Sequence, residues 1–161
     1  MREYRITEIN KFMALLLKGE SFDDYLLKEA LIRTFMDFRF DGTLHKDFFD
    51  TDEWEDRTSK RFAKWKDVKS TALELIRGKH TPLAMEFKLI APEETGLLLI
   101  EKNGIKTLPQ ETVMLNLNIS FKDGIAKAVT GLYRSGFSLD RELDRLWDES
   151  VGELLKKYDV L

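Results

Sequence analysis

Two short polar segments contain the side chains best suited to bind an anion or to exchange protons. The first contains His45, Lys46 and Asp47, and the second contains Arg77, Lys79, His80 and Thr81. Cationic side chains of this kind bind phosphates and carboxylates. The second segment, however, follows the predicted end of a helix, where cations are favoured for purely structural reasons. No nucleophile or general base lies near either segment in the sequence, so we favour the structural explanation and predict no catalytic residue.

An acidic stretch between residues 41 and 56 contains the oxygen ligands that a hard cation prefers. Its carboxylates are Asp41, Asp47, Asp50, Asp52, Glu53, Glu55 and Asp56. The calcium-loop pattern requires an acid or amide two residues after Asp52 and then glycine, but the chain has Trp54 and Glu55 there. Two histidines are too few for a histidine-only metal site, although a mixed site with carboxylates stays open. We therefore predict a solvated loop without a metal, and no cofactor, since no phosphate-binding or dinucleotide-binding motif is present.

A basic run follows the acidic stretch and carries interleaved aromatic residues. Its cations are Arg57, Lys60, Arg61, Lys64, Lys66 and Lys69, and its aromatic residues are Phe62 and Trp65. This combination could bind single-stranded nucleic acid, with Lys60, Arg61 and Lys64 as the contacts. Cations in the first half of a helix are disfavoured by its dipole, so a negative group should lie nearby. The upstream acidic stretch is the favoured candidate, and an external anion is the alternative.

Length and composition indicate one globular domain over residues 1–161. The chain is 43% hydrophobic and 34% charged, and it contains no cysteine, which excludes disulfides and thiolate-bound metals. Neither a signal peptide nor an apolar run of about 18 residues is present, so we expect a soluble cytoplasmic protein with no membrane partner. The net charge of −3 argues weakly against nucleic acid as a partner.

The clearest structural signal is a predicted C-terminal hairpin over residues 113–134. Apolar and polar residues alternate in its first half, which predicts a strand with one buried and one solvated face. Asp123-Gly124 is a favoured pair for a two-residue hairpin turn, because both positions require positive φ. The resulting register places Lys122 opposite Ile125 and brings mostly apolar residues together on one face.

An N-terminal hairpin is predicted around Asp41-Gly42 by the same turn chemistry. Residues 30–40 alternate with a period of two, and the return strand would be residues 43–49. This register pairs Phe35 with Phe48 across the strands. The hairpin would then be apolar on both faces and would need a cover on each.

Four helices and one further strand complete the predicted elements. Apolar spacing and capping residues place the helices between Thr7 and Gly19, from Thr58 or Ser59 to Gly78, from Pro92 to Asn103, and after Ser138. Leu97, Leu98 and Ile100 are the expected core residues of the third helix. Residues 83–89 alternate as a strand, and residues 50–57 show no periodicity and are expected to form a loop.

The order of these elements predicts an α+β domain. Strands joined by tight turns must be antiparallel. We therefore expect a mostly antiparallel sheet of about five strands, including two tight hairpins, with about four helices packed on one face.

Three segments together resemble a known family: DGTLHKDFF from Asp41, ELIRGKHTPLAMEFKL from Glu74, and LNLNISFKDG with TGLYRSGFSLDRELDRLWD from Leu115 onward. Over nearly its whole length the chain is similar to a family of uncharacterised proteins from clostridial-type anaerobic bacteria with no assigned activity. The resemblance implies a bacterial, single-domain, cytoplasmic protein, and it implies no catalytic residue.

Three hypotheses about function follow from these patterns. The leading one is a non-enzymatic binding or interaction module that pairs with a second copy of itself or with another protein, because no catalytic constellation is present and the N-terminal hairpin is apolar on both faces. The rival is a small-molecule or metal-dependent enzyme, which requires the polar clusters at 45–50 and 77–81 to converge in one pocket. The third is single-stranded nucleic-acid binding through a basic helix over 57–69.

Overall fold

Seven strands form one antiparallel sheet in the computed structural model, which describes all residues from Met1 to Leu161. The strands are β1 (Glu3–Ile6), β2 (Leu26–Arg33), β3 (Asp37–Asp41), β4 (Ala63–Lys64), β5 (Ala84–Ile90), β6 (Val113–Lys122) and β7 (Ile125–Arg134). Their order across the sheet is β1-β7-β6-β5-β2-β3, and β4 pairs with the first residues of β2. The predicted α+β class with an antiparallel sheet is confirmed, and the sheet has more strands than expected.

Five α-helices accompany the sheet. They are α1 (Ile9–Leu17), α2 (Thr51–Asp56), α3 (Trp65–Ile76), α4 (Glu93–Asn103) and α5 (Glu142–Lys157). Helix α2 lies in the segment that was expected to be a loop, and none of its residues is buried, so it leaves no apolar periodicity in the sequence. A capping box forms it: the Asp50 side chain accepts from the Glu53 N–H, and the Glu53 side chain accepts from the Asp50 N–H. None of the helices combines the length and the apolar content needed to cross a bilayer.

The C-terminal hairpin is confirmed in turn and in register. Asp123 and Gly124 both have positive φ, 51° and 73°. The pairs run without interruption from Lys122 opposite Ile125 to the far ends of β6 and β7. Because the turn and the alternation specify the same register, local sequence was sufficient to predict this part of the sheet.

The predicted N-terminal hairpin at Asp41-Gly42 is wrong. The chain turns earlier, at residues 34–36, and β2 pairs with β3 from Arg33 opposite Asp37. The predicted return strand is absent, and one turn of 3-10 helix covers Lys46–Phe48 instead. The predicted partners Phe35 and Phe48 are 89% and 84% exposed, so they do not form a pair within the sheet.

One face of the sheet is covered by helices, and the other face is open to solvent. The covered face carries core residues that include Ala30, Ile32, Phe87, Leu117 and Ile119. The open face is polar, and its charges pair across strands: Lys88 with Glu29, and Lys127 with Glu3 at 2.9 Å. A face of this kind is stable in water. The open face itself does not require a second cover. Phe35 and Phe48, which belonged to the apolar second face of the predicted hairpin, are still exposed, so the homodimer remains a prediction.

The start of the second predicted helix, at Thr58 or Ser59, is wrong, because α3 begins at Trp65. The residues before it are extended: Phe62 bridges to Thr43, and β4 pairs with β2. Helix propensity differs by less than about 1 kcal/mol between ordinary residues, so strand pairing overrides it here. Arg57, Lys60, Arg61 and Lys64 of the basic run therefore lie before α3 in non-helical chain. Residues 58–64 of this chain line the cleft at the end of the sheet.

Candidate ligand-binding cleft

A cleft opens at the end of the sheet where β5 ends and β2 and β6 begin. One wall is α4 with the loop 105–112, and the other wall is the connecting segment 58–64, which ends in β4. Helix α4 starts directly after β5 at its N-cap Pro92, and it ends at Gly104, which has a φ of 61°. Both ends agree with the sequence prediction. The left-handed glycine turns the chain out of the helix, so that the loop returns along the cleft to β6.

The more apolar part of the cleft, here called the apolar groove, has a volume of about 540 Å³. Nine of its 16 lining residues are hydrophobic: Leu26, Phe62, Ile90, Ala91, Leu97, Ile100, Leu108, Val113 and Met114. Both the volume and the apolar lining are typical of small-molecule sites. No pattern in the sequence predicted this groove.

Leu97 and Leu98 were expected in the core, and this expectation is wrong because each is 52% exposed. Helix α4 packs through its small residue instead: Gly96 is buried, and a Cβ there would lie 3.9 Å from Leu115. Leu99, rather than Leu98, packs against the core. Leu97 is thereby left lining the apolar groove, while Leu98 lies outside it.

The more polar part of the cleft, here called the polar mouth, has a volume of about 640 Å³. Its lining includes Asp24, Thr58, Ser59, Lys60, Arg61, Lys64, Glu93 and Glu94. Leu26, Arg61 and Glu93 line both the polar mouth and the apolar groove, so the two lie side by side in the cleft. The structure thus brings the three predicted anion-binding residues of the basic run together in the polar mouth.

The three cations of the polar mouth differ in their partners. Lys60 lies 3.4 Å from Glu55, as expected if the acidic stretch compensates the basic run, and Lys64 lies 3.2 Å from Asp24. Arg61 has no carboxylate within ion-pair distance. Its guanidinium lies 5.0 Å from the ring centre of Phe62, which supports it at the entrance of the apolar groove. Arg61 is therefore the cation of the polar mouth that is free to bind an anion.

The aromatic residues of the basic run are core residues. Phe62 and Trp65 are 6% and 0% exposed, so neither can stack against a nucleic-acid base. Lys69 is also engaged, since it pairs with Asp23. The aromatic residues that suggested nucleic-acid binding are therefore used within the fold.

An ion pair that the sequence analysis missed fixes the loop wall of the cleft. Arg134 donates to both carboxylate oxygens of Glu111, at 2.5 and 3.1 Å, and these side chains are only 11% and 2% exposed. Glu111 also accepts from the N–H of Leu108, at 3.1 Å. The predicted register pairs Arg134 with Val113, two residues after Glu111, so the signal was present in the sequence.

This ion pair should make stability depend on pH. Hydrogen bonds from Arg134, and then from the Leu108 N–H, hold the pKa of the Glu111 carboxyl below its ordinary value of 4.5. A lowered pKa in the folded state contributes stability above the ordinary value, and this contribution is lost as the pH falls through the folded pKa. At pH 7 we expect Glu111→Gln to lower Tm by a few degrees, and the difference from wild type should shrink below about pH 4.5.

Thermal unfolding of both proteins at pH values from 3 to 8 measures this effect. Glu101→Gln, which changes an exposed glutamate outside every ion pair, serves as the control and should leave the Tm profile unchanged. A Glu111→Gln difference that stays constant over the whole pH range would contradict the prediction.

The two polar segments singled out first lie outside the cleft. His45, Lys46 and Asp47 are exposed near the first residues of β2, since the Leu44 N–H donates to the Arg61 carbonyl, just before β4 pairs there. Arg77, Lys79, His80 and Thr81 are exposed near its last residue, since the Leu83 N–H bonds to Arg33. The eight residues of β2 hold these ends roughly 20 Å apart. The structure therefore does not bring the two segments together, and no cluster of three or more potential metal ligands is present.

Comparison with known proteins places the chain in a family. Residues 15–161 match the family described as "Family of unknown function (DUF5721)". No curated protein and no solved structure matches the chain. The match covers almost the whole sequence and agrees with the resemblance to a family without an assigned activity. The chain therefore belongs to the DUF5721 family, a family of unknown function.

Proposed function

We propose that this protein is a non-enzymatic binding module whose cleft holds a small molecule with an apolar body. The observation that carries the proposal is the apolar groove, with its volume of about 540 Å³ and its nine hydrophobic lining residues. Apolar surface left open to water costs free energy, at roughly 25 cal/mol per Å². A ligand that covers this surface removes the cost.

The walls of the cleft are anchored before any ligand enters. The loop wall is tied down by the pair between Glu111 and Arg134 and by reciprocal bonds between Thr112 and Ser135. The opposite wall is held by strand pairing of Phe62 and β4. A site with fixed walls loses little conformational entropy on binding, which favours affinity.

The other hypotheses have less support from the same observations. The enzyme hypothesis needs the segments 45–50 and 77–81 to converge, and they lie at opposite ends of β2. Nucleic-acid binding needs exposed aromatic residues beside the cations. A bacterial, cytoplasmic setting remains part of the proposal and is supported by the family resemblance and the cysteine-free composition. Whether the protein forms a homodimer stays a prediction.

Two neighbouring leucines provide a matched test of the proposed site. Leu97 and Leu98 are equally exposed, but only Leu97 lines the apolar groove. Leu97→Trp should fill the groove and weaken the binding of a neutral apolar fluorophore, N-phenyl-1-naphthylamine, by about tenfold or more. Leu98→Trp should leave the affinity unchanged.

Fluorescence titration measures both affinities, and far-UV circular dichroism checks that each variant is folded. A failure of the fluorophore to bind the wild-type protein would overturn the proposal. Equal weakening by the two substitutions would overturn it as well, because the bound fluorophore would then lie outside the apolar groove.

A further inference from the structure

We infer that the ligand is a monocarboxylate amphiphile, with its apolar chain in the groove and its carboxylate on Arg61. This inference rests on the proposed function and adds the chemical class of the ligand. It is carried by the position and the unpaired charge of one side chain, at the boundary between the apolar groove and the polar mouth.

Arg61 lies where the head of an amphiphile would emerge from the groove. It lines both parts of the cleft, and its guanidinium is supported by the ring of Phe62, itself a wall of the groove. The neighbouring lysines are compensated by Glu55 and Asp24, whereas Arg61 has no internal partner. A guanidinium offers two parallel N–H donors that match the two oxygens of a carboxylate.

The other charges of the polar mouth favour a single negative charge on the ligand. Asp24, Glu93 and Glu94 line the same space as Arg61. A phosphate ester or a nucleotide would bring a second negative charge close to these acids, and like charges at short range repel. A carboxylate brings one charge, and Arg61 neutralises it.

A cationic amphiphile fits the cleft less well. Glu93 and Glu94 are the two acids near the entrance that form no ion pair, and both lie in the first turn of α4. The positive end of the helix dipole already stabilises acids at that position. The unpaired acids therefore have a compensating partner, and Arg61 does not.

Four ten-carbon compounds test the head group at constant chain length. Decanoate, decylamine and decyl phosphate, each below its micellar concentration, and decanol below its solubility limit would compete with the neutral fluorophore for the wild-type protein. Decanoate should bind with the highest affinity, about tenfold or more above the affinity for decanol. Shortening the acid should lower the affinity by about fourfold per methylene, the ratio that corresponds to burial of one CH₂.

Replacement of the arginine tests its role directly. Arg61→Met should lower the affinity for decanoate to that for decanol and should leave the affinity for decanol unchanged. Arg5→Met is the matched control, because Arg5 is an exposed arginine on β1 without an ion pair, away from the cleft. This control should leave every affinity unchanged.

The outcomes separate the inference from the proposed function. Equal affinities for decanol and decanoate would overturn the carboxylate assignment while the groove remained the ligand site. The same conclusion would follow if Arg61→Met lowered both affinities by the same factor. Tightest binding of decylamine or decyl phosphate would also overturn the assignment. Failure of all four compounds together with the fluorophore would overturn the proposed function itself.

Discussion

Gly42→Ala should destabilise the fold by about 3 kcal/mol or more, which lowers Tm by roughly 6–12 °C for a chain of this size. A Cβ at this position would lie 1.7 Å from the carbonyl oxygen of Leu27. Gly42 cannot move aside, because its N–H donates to Lys28 at 3.0 Å and its carbonyl accepts from Ala63 at 2.8 Å. The substitution therefore forces the backbones of β2 and of the segment after β3 apart. Urea and thermal unfolding, followed by circular dichroism, measure the loss.

Two further glycine variants distinguish close approach from turn geometry. A hairpin turn at Asp41-Gly42 would tolerate Gly42→Asn, because asparagine adopts positive φ readily. Gly42 does not have positive φ, so the asparagine variant should be as unstable as the alanine variant. Gly78→Ala is the control, since no atom lies within 4 Å of its Cβ position, and stability should change by less than about 1 kcal/mol. A Gly42→Ala protein that unfolds within about 2 °C of wild type would refute the prediction.

Trp65→Ala should destabilise the protein by about 3–5 kcal/mol, a large part of the 5–15 kcal/mol available to a typical domain. Trp65 is fully buried and packs edge-to-face on Phe87, with ring centres 5.3 Å apart. Its indole N–H donates to the Leu16 carbonyl at 2.7 Å and so connects the start of α3 to the end of α1. Alanine leaves both a cavity and an unpaired acceptor.

The tryptophan of the surface helix α2 provides the control. Trp54 is half-buried and packs on Phe49 at the surface. We therefore expect Trp54→Ala to lower the free energy of unfolding by clearly less than Trp65→Ala does. Unfolding is followed by far-UV circular dichroism, because removal of a tryptophan alters the fluorescence signal itself. If Trp65→Ala lowered the free energy of unfolding by no more than Trp54→Ala, the assignment of Trp65 to the central core would be contradicted.

The accuracy of the sequence predictions depended on whether the determining contacts were local. The two-residue turn at Asp123-Gly124 joins adjacent strands, and the helix from Pro92 to Asn103 carries its own start and stop signals, so both were predicted correctly. Asp41-Gly42 carries a similar turn signal but does not form a turn. There the glycine is required by contact with Leu27, fifteen residues earlier in the chain.

In the cleft, too, features set by local sequence were predicted and features set by distant contacts were not. Sequence patterns singled out Lys60, Arg61 and Lys64 as candidate anion contacts, and these residues do line one space. Nothing local distinguished Arg61 from its neighbours, because the carboxylates of Glu55 and Asp24 that pair with the lysines are not predictable from spacing alone. The apolar groove itself was missed, and its leucine wall was assigned to the core.

By itself, then, the sequence determined the α+β class, the antiparallel sheet and the register of the C-terminal hairpin, because turn chemistry and side-chain alternation act between near neighbours. The tertiary structure alone decided which glycine makes a close contact, which leucine of α4 faces a groove and which arginine is left without a partner. Each of these depends on segments far apart in the chain, and their meeting is set by packing of the whole sheet against its helices rather than by any local preference.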